Sequence, residues 1–307
     1  MTRPLLALLA ILACGNAFAS EASFIRILGI AQDAGYPQAN CYLPHCNRAW
    51  EDVTLRRTTS SIAVIDPGSK TKYLFDATPD IREQLYRLNQ DAPDGEYQLA
   101  GVFLTHAHIG HYAGLMHFGH EASATRDTPV FAMPRMHNFL SNNGPWDQLV
   151  RYRNVRLHKL EDGLEIRLAG GITVAPFLVP HRDEYSETVG FRIQGRTKTA
   201  VFIPDIDKWE RWSVDIRALI RSVDYALLDA TFYGHGELPG RDMSKIPHPL
   251  VADSMALFDD FTDEEKSRVI FIHMNHTNPL LVDGSPEQAE VERRGFRFAR
   301  EGMRLEL

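Results

Sequence analysis

Five short apolar stretches of this sequence each run directly into a histidine or an aspartate. Residues 100–104 lead to Thr105-His106, residues 171–179 to Pro180-His181, and residues 199–203 to Pro204-Asp205. Residues 225–228 end at Asp229, and residues 269–272 end at His273. Each stretch is short and rich in β-branched or aromatic residues, which predicts a strand. In layered α/β folds, ligands gather beyond the carboxyl ends of the strands. Polar residues follow strands because loops are polar, but that alone does not select His or Asp five times. The pattern predicts an α/β fold that delivers metal ligands to one sheet edge.

Other segments fit the same architecture. Residues 24–30 alternate as a strand, and 61–65 with 72–76 flank Pro67-Gly68 as a hairpin. Residues 79–88 read as a helix, with Pro79 at its start and Ile81, Leu85 and Leu88 on one face. No tandem repeat, low-complexity tract or linker interrupts the chain. Residues 20–307 therefore read as a single domain.

The sharpest motif is Thr105-His106-Ala107-His108-Ile109-Gly110-His111. Alternate residues of an extended segment point to the same side, so His106 and His108 can face one ion together. His111 follows after a turn and can face a neighbouring position as the chain enters a helix. Imidazole suits zinc and iron, with Zn–N bonds of about 2.0–2.1 Å.

Composition narrows the function classes. With 44% hydrophobic and 24% charged residues, the chain is an ordinary globular protein and not a disordered or fibrous one. A formal net charge of -7 argues against nucleic acid as the main partner, since such binders cluster Lys and Arg. The 13 histidines form no single tract, so they are not a tag.

Residues 1–19 read as an export signal. Arg3 is the positive start, Leu5 to Leu12 is apolar but too short to span a bilayer, and Ala17-Phe18-Ala19 is a small-x-small cleavage pattern. A periplasmic or secreted protein starting at Ser20 is expected, with a lipid anchor at Cys14 as the weaker alternative because Leu12 sits where a small residue is usual. No later segment reaches the length of a membrane span. The expected partner is a small-molecule substrate, and a homodimer is an open alternative. Cys41 and Cys46 are then the two remaining cysteines, readable as a short-loop disulfide or, with His45, as a small metal clip.

His-x-His-x-Gly-His resembles the His-x-His-x-Asp-His signature of the metallo-β-lactamase superfamily. His181, Asp205 and His273 follow in that family's order. The resemblance implies a four-layer αββα sandwich with the metal site at one sheet edge. It implies that His106, His108 and His181 hold a first metal, and that His111, Asp205 and His273 hold a second, with Asp205 shared. Asp207 competes with Asp205, and His276 with His273; the direct exit from the strand favours His273. Gly110 stands where the family has an aspartate ligand. The expectation is a weakened second site, a water in the gap, or a single ion. Asp33, Asp183 and Glu184 are candidate substitutes among which the sequence does not choose. Metal stoichiometry of the purified protein compared with a Gly110→Asp variant tests this, added occupancy in the variant marking a deficient native second site.

Leu28-Gly29-Ile30-Ala31-Gln32-Asp33-Ala34-Gly35-Tyr36-Pro37-Gln38, followed by Cys41 and Cys46, resembles the opening of the B proteins of pyrroloquinoline-quinone biosynthesis. It is also similar to the cyclic phosphodiesterases of phosphonate breakdown. Residues 75–82 and 275–279 resemble the quinone-biosynthesis branch again. Relatives there carry a structural zinc in the cysteine region, which keeps the clip open. That branch departs from the His-x-His pattern intact here, so the chain reads as an exported paralogue with no substrate assigned.

The implied chemistry is hydrolysis of an ester, lactone or phosphodiester. One or two zinc ions would lower the pKa of a bound water to about 7, with iron or manganese as alternative ions. Asp205 would orient that water, and His248 in the Pro247-His248-Pro249 loop would protonate the leaving group. Asp229 and His276 would orient ligand histidines. Arg182 is either an anion-binding group or a surface charge. The competing classes are an iron-dependent oxidoreductase in the same cage and a metal-binding module without turnover, for which Gly110 is the motive.

Overall fold

The computed structural model describes residues 21–307, so the expected export signal over 1–19 and Cys14 lie outside the described residues. The strands of the first sheet are β1 (Phe24–Gly29), β2 (Ser61–Asp66), β3 (Thr71–Phe75), β4 (Gln98–Phe103), β5 (Thr128–Ala132) and β6 (Val155–Lys159). Then come β7 (Ile166–Arg167), β8 (Thr173–Leu178), β9 (Val189–Gln194), β10 (Thr199–Ile203), β11 (Tyr225–Asp229), β12 (Val269–Ile272) and β13 (Arg297–Phe298), which build the second sheet. The final strand, β14 (Arg304–Glu306), returns to the edge of the first. Among the described residues each sheet has seven strands, ordered β14-β1-β2-β3-β4-β5-β6 and β13-β12-β11-β10-β9-β8-β7.

The hairpin expected around Pro67-Gly68 is present, with Ile62 opposite Phe75 in antiparallel register. Strands β3 to β6 are parallel, as are β10 to β13. Parallel neighbours end on the same edge, which is why β3, β4, β10, β11 and β12 deliver their following residues to one rim.

An aromatic layer holds the two sheets together. Phe75 and Phe103 stack at 4.9 Å, and Phe103 stacks on Phe131 at 4.4 Å. Phe191 of the facing sheet meets Phe75 edge-on at 5.3 Å and Phe103 at 5.7 Å. These contacts are the preferred offset and edge-to-face geometries. Phe75 and Phe103 end their strands just before Asp76 and Thr105-His106, so this aromatic layer lies directly beneath the rim.

The outer faces are covered by helices. Helix α1 (Pro44–Glu51) follows the first strand, and α2 (Ile81–Asp91) buries Ile81, Gln84 and Leu88. Ile81 and Leu88 join Leu28, Leu74 and Val102 of the first sheet in one apolar cluster. On the second sheet, Ile216, Ile220, Met255 and Phe258 close the other face. The expected four-layer αββα sandwich is the observed one.

Helix α2 begins two residues later than the sequence suggests. The Thr78 hydroxyl accepts from the Asp80 amide, while the Asp80 carboxylate accepts both the amide and the hydroxyl of Thr59 at 2.8 Å. Pro79 and Asp80 are thereby pinned to the neighbouring segment outside the helix. No helix of the described residues is long and apolar enough to cross a membrane.

Candidate metal centre

After β4 the chain continues extended through Thr105 to His108 and then enters α3 (Ile109–Tyr112). Extension points His106 and His108 to the same side, and the turn into α3 swings His111 beside them. The His106 ring lies 4.5 Å from that of His108 and 4.1 Å from that of His111. The loop after β8 brings in His181, whose Nε2 is 3.2 Å from His108 Nδ1. Asp205, just past β10, places Oδ2 3.3 Å from His106 Nε2, 3.2 Å from His181 Nε2, 3.8 Å from His108 Nδ1 and 4.0 Å from His111 Nε2. One carboxylate oxygen thus faces four imidazoles.

A second group adjoins the first. His273 leaves β12 with φ of 68°, in the left-handed region that a residue with a side chain rarely adopts. Such strain persists where the surroundings enforce it, and clusters at functional sites. The turn sets the His273 ring 5.2 Å from that of His111. Asp33, from the segment after β1, brings Oδ1 to 3.2 Å from His111 Nε2 and 3.8 Å from His273 Nε2. The donor atoms of His106, His108, His181 and Asp205 lie within 4.8 Å of one another, as do those of Asp33, His111 and His273.

Four of these histidines are held by their other nitrogen. Asp76, itself at φ 65° after β3, sits 2.7 Å from His111 Nδ1, and its Oδ1 also accepts the Thr105 amide. The Thr105 hydroxyl is 2.9 Å from His106 Nδ1, and that of Thr231 is 3.1 Å from His273 Nδ1. Glu184 lies 3.0 Å from His108 Nε2, whereas His181 Nδ1 makes no hydrogen bond, with Asp207 3.5 Å away. Partners of this kind fix ring orientation and leave the opposite lone pair for a cation.

The atoms aimed inward have no protein partner. His106 Nε2, His111 Nε2, His273 Nε2 and Asp33 Oδ1 are all buried without a hydrogen bond. An unsatisfied buried polar atom costs about 1–3 kcal/mol, so four gathered beside Asp205 call for a shared partner. Nitrogen and oxygen donors in this number suit a divalent cation, zinc included. Burial raises Asp205, but the charges of His181 and His248 outweigh it and hold the carboxyl well below its usual range. Burial and the neighbouring His111 keep His106 well below the ordinary imidazole range, in the neutral form that binds metal.

All six ligands expected from the sequence therefore meet at one rim. Of the two competitors, Asp207 backs His181 and also takes Arg211 at 2.9 Å, while His276 lies elsewhere. The expectation that position 110 leaves a gap is corrected. Asp33 fills that space: a Cβ on Gly110 would fall 2.4 Å from Asp33 Cα and 2.5 Å from its Oδ1. A side chain at 110 therefore requires the residue-33 turn to shift. The other substitutes serve differently, Glu184 behind His108 and Asp183 accepting the Thr188 hydroxyl.

His248 lies close to the centre, with Nδ1 2.9 Å from Asp229 and 3.3 Å from Asp205 Oδ1. Burial lowers its pKa, but the carboxylates of Asp229 and Asp205 outweigh that and raise it to about 9. It also lines a cavity of about 520 Å³ together with Trp209, Trp212, Leu250 and Arg217. Asp229 holds His248, and its carboxylate also stands within 4.8 Å of the His273 ring and of Asp205, with the Thr231 hydroxyl linking it to His273 Nδ1. Asp76 and Thr231 were not singled out in the sequence, and only their positions at strand ends mark them.

Cys41 and Cys46 form a disulfide. His276, expected to support a ligand histidine, instead stands 5.8 Å from the His45 ring beside that disulfide. His45 and His276 complete a four-donor set with the two sulfurs, all within 4.8 Å.

With this geometry described, comparison with known proteins is decisive. The profile of the Beta-lactamase superfamily domain matches residues 71–274, a span that contains all six ligands expected from the sequence and omits Asp33. The chain belongs to the beta-lactamase superfamily. Within that superfamily, it is 31% identical to the coenzyme PQQ synthesis protein B of Methylobacterium radiotolerans, covering 92% of this chain and 99% of that protein. The Zn(2+)-bound PqqB crystal structure from Methylobacterium extorquens superposes with a TM-score of 0.76 at 26% identity, over 92% of this chain and all of that one. A diphosphatase of the PhnP family shares the fold, with a TM-score of 0.63 at 21% identity over 93% and 98% of the two chains.

Proposed function

We infer that this superfamily member is an exported metal-dependent hydrolase that cleaves an ester, lactone or phosphodiester bond in a small molecule. One observation carries the reading: buried, unpartnered nitrogens of His106, His111 and His273 converge with Asp205 on one space. His106, His108 and His181 would hold one ion, His111 and His273 a second, and Asp205 would touch both. When bound, the ions supply an acidified water as nucleophile and polarise the group it attacks.

The chain's own residues do the rest. Asp205 orients the nucleophile and is placed to take its proton. His248 is held through Nδ1 by Asp229, which leaves Nε2 as the free nitrogen for a departing group. Trp209, Trp212 and Leu250 offer apolar walls beside His248, and Arg217 offers a positive charge for an anionic substrate. The disulfide between Cys41 and Cys46 suits an oxidising compartment outside the cytoplasm.

The test uses protein purified with its resident metal, assayed on bis(p-nitrophenyl) phosphate and a panel of esters and lactones. Turnover on at least one class is expected, lost on dialysis against a chelator and restored by zinc, manganese or iron. The restoring ion also identifies the metal. Turnover that survives chelation, or its absence across the whole panel in metal-loaded protein, contradicts the reading.

A further inference from the structure

We propose that Asp33 supplies the carboxylate of the second metal site, so that a ligand missing from the histidine motif is delivered by the N-terminal strand. The proposal rests on the two-ion reading above and adds a residue to it.

The delivery is built into the backbone. Beyond β1, Ala31 forms a parallel bridge with Met274, the residue that follows His273. The Gln32 amide donates to the Met274 carbonyl at 2.7 Å, and the Met274 amide donates back to Ile30 at 2.8 Å. Immediately afterwards the chain turns tightly, the Gly35 amide donating to the Gln32 carbonyl at 3.0 Å with Gly35 at φ 73°. Asp33 sits in this turn, on a segment laced to the one that presents His273. Its position relative to His273 is therefore set by main-chain bonds rather than by a flexible loop.

The side chain is aimed and unsatisfied. Asp33 Oδ1 is buried without a hydrogen bond while lying 3.2 Å from His111 Nε2 and 3.8 Å from His273 Nε2. Those two nitrogens are themselves buried and unpartnered. Imidazole ligands bring no anionic charge to a divalent cation, and a carboxylate supplies both charge and a hard donor.

Position 110 and position 33 compete for one volume. The Cβ that any other residue would carry at 110 falls 2.4 Å from Asp33 Cα, well inside van der Waals contact. Glycine at 110 is thus the condition for the residue-33 turn to pack here and for Asp33 to reach the site.

Zinc stoichiometry by elemental analysis, with titration calorimetry of metal-stripped protein, tests this without reference to turnover. Wild type should hold two ions per chain. Asp33→Ala and Asp33→Asn should keep the ion at His106, His108 and His181 and lose the other. Affinity at that second position should fall by more than the about 10–100-fold that removal of an outer partner costs. Circular dichroism and thermal melting confirm that both variants fold. Gly110→Asp should also lose the second ion, because its Cβ meets both the Cα and the Oδ1 of Asp33. Variants at Asp33 that match wild type in stoichiometry and affinity, at two ions or at one, overturn the proposal while leaving the histidine cage standing. Wild type that binds no zinc defeats the two-ion reading itself.

Discussion

Asp205→Asn is expected to leave a folded protein whose kcat/KM is lower by about 10²–10³-fold, the scale on which loss of one preorganised electrostatic contact is felt. The amide keeps the shape of the carboxylate and removes only its charge. That charge is central: Asp205 Oδ2 lies 3.2 to 4.0 Å from nitrogens of His106, His108, His111 and His181. Two cations close together in a buried site repel strongly unless an anion lies between them, because the interaction grows as the local dielectric falls. The variant should bind both ions more weakly than wild type while its melting temperature stays close to the wild-type value. Steady-state kinetics alongside metal analysis check this. Full metal content with turnover within an order of magnitude of wild type would remove Asp205 from its shared position.

The second large effect concerns His248. Its Nδ1 is engaged by Asp229 at 2.9 Å, and the ring lines the cavity beside the cage. Loss of a general acid costs about 10²–10⁴-fold when the leaving group needs a proton. His248→Gln should therefore slow alkyl esters or phosphodiesters by that amount and slow p-nitrophenyl substrates far less, since p-nitrophenolate departs without help. Metal content should stay near wild type, because His248 Nδ1 is held by Asp229 and His248 is not among the grouped candidate ligands. An equal loss on both substrate classes would show that His248 positions the substrate or Asp205 instead of donating a proton.

Much of this site was legible in the sequence for a simple reason. Strand exit is a local event, and the residues that leave β4, β10 and β12 need little else to reach the rim. The same-side projection of His106 and His108 follows from extended backbone alone. What was hidden depends on approach between distant segments. Gly110 looked like a lost ligand, because nothing in the chain near it reveals that Asp33 occupies the vacated volume. Asp76 looked like the last residue of a hairpin strand, and only its left-handed backbone and its contact with His111 show its part. His273 and His276 were hard to separate because they are three residues apart; the positive φ of His273 turns one imidazole into the cage while His276 continues to the disulfide. Asp229 ends its strand as expected, yet the group it holds is His248, which approaches from a loop that sequence periodicity does not place.

Anomalous diffraction at the zinc edge, from crystals of protein purified with its resident metal or loaded with zinc, is the most direct test of the central claim. Two peaks about 3.5–4 Å apart are expected. One should lie among His106, His108 and His181 and the other among Asp33, His111 and His273, with Asp205 reaching both. A metal-loaded crystal with no peak in this space, or with its ions elsewhere and these imidazoles bonded only to protein, would contradict the account.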